Sequence, residues 1–118
     1  MKINIFWEEK KEAVSLPEDI NEPEIRKVAK TITSDLALRG KELNIIFCSP
    51  NYIRKLAQRY LKKDYIPASL SFPFKKDQLE KSSLSQKGFL GEVYLNYAAL
   101  KNFPFPYLLR HAISRLIP

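Results

Sequence analysis

The stretch Leu43-Asn44-Ile45-Ile46-Phe47-Cys48 constrains this chain more than any other. Apart from Asn44 it is unbroken in apolar side chains, and it is rich in β-branched residues after that point. A half-exposed strand would alternate with polar residues, so a run this short and continuous reads as a strand buried on both faces. Ser49-Pro50 follows at once, a capping hydroxyl and a proline suited to the first turn of a helix. On that helix Ile53, Leu56, Ala57 and Tyr60 recur at helical spacing and predict an apolar stripe. The opposite face carries Arg54, Lys55, Arg59 and Lys62, with Lys63 just beyond, the densest basic cluster in the chain.

Elements of the same kind flank this unit. Ile3, Ile5 and Trp7 alternate with polar residues and predict a strand, followed by a loop through Pro17 and Pro23. Asn21 is a helix cap, Glu22 and Glu24 suit the positive end of the helix dipole, and Ile25, Val28, Ala29, Ile32 and Leu36 make a core-facing stripe that Gly40 ends. Downstream, Ser69 to Phe72 predicts a strand stopped by Pro73, which has no N–H for a ladder. Residues 75–88 are polar and without periodicity and read as a mobile loop. Gly91 to Leu95 alternates as a fourth strand, Asn96 caps a short helix through Leu100, and Phe103-Pro104-Phe105-Pro106-Tyr107 leads into a last short helix ending at Pro118. The fold class is α+β: one domain over residues 1–118, a small mixed four-stranded sheet with helices packed on it.

Twenty Lys and Arg against thirteen Asp and Glu give a net charge of +7. That balance favours a polyanionic partner such as RNA, although a basic helix face is also what an ordinary solvated helix presents. No apolar run approaches the ~20 residues of a membrane span, and charges interrupt the N-terminal apolar stretch, so a cytoplasmic protein with no membrane partner is expected. The single cysteine, Cys48, lies inside the apolar run and is assigned burial rather than chemistry.

Two blocks, "LAQRYLKKDYIPASLSFPF" and "LGEVYL", resemble the YbeY family of bacterial rRNA maturation factors, described as metal-dependent endoribonucleases. Leu56, Tyr60, Lys63, Asp64 and Leu70 through Phe74 fall on the family pattern LN..YR.KD..TDVLSFPF without a gap, and Leu90-Gly91-Glu92 stands for its Leu-Gly-Asp. The likeness runs from about Leu43 to Leu95, with a weaker echo to the end. It implies a zinc site in the last helix, where the family reads HGxLHLLGYDH. His111 matches the first ligand. The second ligand position holds Arg115, which stays protonated and has no lone pair to give a metal. The third would fall three residues beyond Pro118. The family's YR arginine corresponds to Leu61, its TD pair to Pro67-Ala68, and the glycine after the first histidine to Ala112.

A catalytic zinc ordinarily takes three protein ligands, so His111 is read as vestigial, no catalytic residue is assigned and no zinc is expected. The resemblance implies instead a non-catalytic member that binds ribosomal RNA or a small-subunit assembly intermediate. Arg59, Lys62, Lys63, Lys75, Arg110 and Arg115 are the expected RNA-binding residues, lining the cleft that the metal would have occupied. Two alternatives stay open: a single-strand endoribonuclease completed by a second chain, and a protein-interaction module without RNA. The sequence leaves the oligomeric state open.

Overall fold

In the computed structural model of this protein, residues 2–8, 16–17, 20–38, 42–74 and 88–117 are described. In chain order they form β1 (Lys2–Trp7), α1 (Glu22–Asp35), β2 (Glu42–Cys48), α2 (Pro50–Leu61), β3 (Ser69–Pro73), β4 (Phe89–Asn96), a 3-10 turn (Tyr97–Lys101) and α3 (Phe105–Ser114). The four strands make one sheet in the order β1-β2-β4-β3. β2 runs parallel to both of its neighbours, and β3 is antiparallel to β4 at the far edge. The fold is therefore α+β with a mixed four-stranded sheet, as the order of elements predicted.

The apolar run of β2 is covered from both sides. Leu43, Ile45 and Phe47 point to one face with Ile3, Val93 and Leu95, where Ile25, Ala29 and Ile32 of α1 and Phe105, Leu108, Leu109, Ala112 and Ile113 of α3 close over them. Phe47 is fully buried there and stacks on Trp7 (ring centroids 4.7 Å apart) and on Phe105 (6.2 Å). Burying each such large side chain contributes roughly 1.5–3 kcal/mol. Cys48 points to the other face, where it and Leu70 pack under Ile53 and Ala57 of α2. α2 is twelve residues long and packs on β3 and β4. Beside it the strands carry a polar row: the Asn4 amide donates to Glu42 (2.7 Å) and Asn44 (2.9 Å), and the Asn44 amide donates to Glu92 (3.2 Å).

The predicted caps are in place. Asn21, Ser49 and Asn96 accept side-chain hydrogen bonds from the backbone N–H of Glu24, Tyr52 and Ala98, at 3.0, 3.2 and 3.0 Å. The ends of several elements differ from the sequence expectation. α1 stops at Asp35, with Leu36 as its C-cap and Ala37 in the left-handed region, before Gly40 is reached. Pro73 closes β3 rather than stopping short of it: Phe74 N–H donates across to Leu90 C=O, so the proline nitrogen faces away from the ladder. β4 begins at Phe89 and carries a bulge, since Glu42 pairs with Phe89 and Leu43 with Gly91, leaving Leu90 as the extra residue. α3 starts inside the Phe103–Tyr107 stretch and ends at Ser114, after which Leu116 tucks back into the core. The loop expected over 75–88 lies outside the described residues except for Gly88. No described helix is long and apolar enough to cross a membrane.

Candidate nucleic-acid interface

α2 and α3 lie on opposite faces of the sheet, and both of them touch β4 and the edge strand β3. That arrangement divides the expected RNA-binding residues. Arg59, Lys62 and Lys63 sit at the C-terminal end of α2, where Lys62 takes a left-handed C-cap conformation and turns the chain toward β3. All three are exposed, and none has an ion pair among the described residues. Arg54, in the same basic cluster, is engaged: its guanidinium donates to both carboxylate oxygens of Asp64 (2.7 and 3.1 Å), and Gln58 donates to the same group (3.0 Å). These bonds, the Arg54 pair foremost, hold the Asp64 carboxyl below the usual carboxylate range although it is exposed.

On the other side of the edge strand, Ser71 of β3 donates its hydroxyl hydrogen bond to the carbonyl of Ala112 (2.7 Å) and so ties the strand to α3 one residue past His111. Arg110 is drawn the opposite way, to Asp35 at the end of α1 (2.7 Å). At about 100° per residue, His111 and Arg115 project about 100° and 140° around the helix from Arg110. His111 and Arg115 therefore share a flank of this helix end from which Arg110 points away. Both are exposed. Lys75 lies outside the described residues. Among the described residues, Arg59, Lys62 and Lys63 thus stand together at the end of α2, Arg115 stands just past α3, and Arg110 is held apart by its carboxylate.

The donor set does not fit a zinc ion. His111 stands on an exposed helix turn, and Arg115, four residues on, offers no lone pair. Among the described residues no three His, Cys, Asp or Glu side chains come together in a way that could hold a metal, and no buried side-chain nitrogen or oxygen is left without a partner to await one. Glu92, at the position of the family's aspartate, faces the α2 side and is hydrogen-bonded to Asn44.

The helical spacing of α2 put Tyr60 on the buried stripe, and the structure corrects this. Ile53 and Ala57 are buried, whereas Tyr60 is 55 % exposed. It stands at the edge strand, edge-on to Phe72 of β3 with ring centroids 5.3 Å apart. The signal was available in Arg59, Lys62 and Lys63 around it, since a tyrosine interleaved with cations suits a wet surface with an aromatic face.

A family model described as endoribonuclease YbeY matches residues 6–104. The match extends the resemblance toward β1 and stops one residue before α3. The solution structure of TM1509 from Thermotoga maritima is similar in fold, with a TM-score of 0.53 and 19% sequence identity, over 97% of this chain and 71% of that one. No curated relative matches the chain by sequence.

Proposed function

This chain belongs to the endoribonuclease YbeY family, and on that footing we propose that it serves ribosomal RNA maturation by binding rather than by cutting. It is a non-catalytic member that holds ribosomal RNA, or a small-subunit assembly intermediate, through exposed cations. Arg115 carries this reading. Where the family pattern has a zinc-binding imidazole, this helix end presents an exposed guanidinium one turn from His111. A guanidinium repels a dication and binds phosphate oxygens bidentately, so positive charge is kept at the flank while the metal donor is lost. Leu61 in place of the family's arginine supports the same reading, because it removes a cationic stabiliser of cleavage. Arg59, Lys62 and Lys63 continue the cationic rim on the α2 side of β3, and Lys75 belongs to the same proposed set.

The test is a titration of a labelled ribosomal RNA fragment at several salt concentrations. Affinity should fall steeply with salt. Arg115→Ala, or Arg59→Ala with Lys62→Ala, should weaken binding and flatten the log–log salt slope by about 0.7–0.9 for each phosphate no longer neutralised. His111→Ala should change nothing. Unaltered affinity for Arg115→Ala would remove the α3 flank from the interface, and RNA cleavage abolished by His111→Ala would overturn the non-catalytic reading.

A further inference from the structure

Tyr60 is the outer member of a connected series of rings. Its ring meets Phe72 at 5.3 Å and 69°, Phe72 meets Tyr94 at 5.5 Å and 89°, and Tyr94 lies 6.3 Å from Tyr52. The inner rings are packed around the small core under α2 and fix the orientation of the outer one. Tyr60 nevertheless keeps more than half of its surface in solvent, with the Arg59 guanidinium 5.4 Å from its ring centre. Leu61, Tyr65 and Ile66, next along the chain, are exposed as well, and Lys62 and Lys63 lie among them in sequence. Asp64, the one carboxylate in this run, is occupied by Arg54 and Gln58.

We propose that Tyr60, with the Arg59 guanidinium over it, is a stacking site for an unpaired base of single-stranded RNA. The proposal rests on the RNA-binding reading above and deepens it by assigning a base-binding position, which cations alone do not provide. A fixed, solvent-facing ring offers a base its π-face at little entropic cost, and the neighbouring cations meet the phosphates on either side. Base pairing hides these faces inside a duplex, so the site selects unpaired strands. The charge around the ring favours a polyanion over an apolar protein surface, which would leave three cations without counterions.

The experiment compares a short oligouridylate, its abasic analogue of equal length and an RNA duplex, each titrated against wild type, Tyr60→Leu, Tyr60→Phe and Tyr60→Trp. Tyr60→Leu should bind oligouridylate roughly 5- to 150-fold more weakly, the loss of about one stacked base, with its salt slope unchanged. Phe and Trp should bind much as wild type does, which separates the ring's role from any effect on folding. The abasic strand should bind wild type more weakly than oligouridylate does, and should not distinguish wild type from Tyr60→Leu. Equal oligouridylate affinity for wild type and Tyr60→Leu overturns the stacking site and leaves the RNA-binding reading standing. Duplex binding as tight as single-strand binding also overturns it. Wild type that binds none of the three RNAs removes both.

Discussion

Replacing Gly91 with alanine should strike the junction of β3, β4 and α3, beside the flank that carries His111 and Arg115. Gly91 has φ of +146°, a region that L-residues rarely enter. A Cβ there would sit 2.5 Å from the carbonyl oxygen of Phe72, 3.0 Å from Leu116 Cδ2 and 3.1 Å from Pro73 Cα. Two of those three atoms are backbone of the edge strand and cannot step aside by a rotamer change. The dihedral strain costs about 1–3 kcal/mol, and forcing a methyl into a packed site adds about 1–3 kcal/mol. A mid-range loss of about 3–4 kcal/mol is a large share of the roughly 5–15 kcal/mol that holds a domain folded. For a chain of this size it should lower Tm by roughly 10–20 °C. Urea unfolding followed by circular dichroism, together with a thermal melt, measures it. In a Leu116→Ala background the glycine substitution should retain most of its cost, because the backbone clashes remain. A Gly91→Ala protein within about 0.5 kcal/mol of wild type, the scatter of ordinary surface changes, would refute the account. So would full rescue by Leu116→Ala, which would assign the clash to a movable side chain.

Two further outcomes are expected. Purified protein should carry far less than one zinc per chain, and its Tm should be the same with and without chelator, since one imidazole cannot close a site; elemental analysis giving stoichiometric zinc would contradict this. The Asp64 carboxyl, followed by carbon NMR, should titrate below the ordinary aspartate midpoint and move back up in Arg54→Ala. Because its folded pKa is lowered, its contribution to stability is present above the unfolded pKa and is lost as pH falls through the folded one.

Local features were legible in the sequence because their causes are local. The caps at Asn21, Ser49 and Asn96, the stripe Ile25-Ala29-Ile32 and the two-sided burial of β2 all follow from side chains within a few positions of each other. What escaped was set by distant partners. The Tyr60 period is helical, yet this last turn of α2 meets only the edge strand through Phe72, and nothing within the helix records which strand lies beneath it. Arg110 pairs with a carboxylate 75 residues away. The extra residue at Leu90 exists only relative to β2. The resemblance supplied the residues of the proposed site, but their distribution over two helices on opposite faces of the sheet is set by the topology.

The polar row on the open part of the sheet bears on how the strands find one another. Alternation of apolar and polar residues penalises a strand that slips by one position, because every side chain changes face. It is blind to a slip by two. Moving β1 two places along β2 would keep Ile3 and Ile5 on the buried face, opposite Ile45 and Phe47, but would bring the Asn4 amide against Ile46. In the native pairing Asn4 stands opposite Asn44, and Asn44 opposite Glu92, so amide donors and carboxylate acceptors meet only there. Three polar side chains from segments 40 and 48 residues apart thus act as an alignment key for the parallel strands. Asn44, the one polar interruption in the apolar run, is its middle tooth.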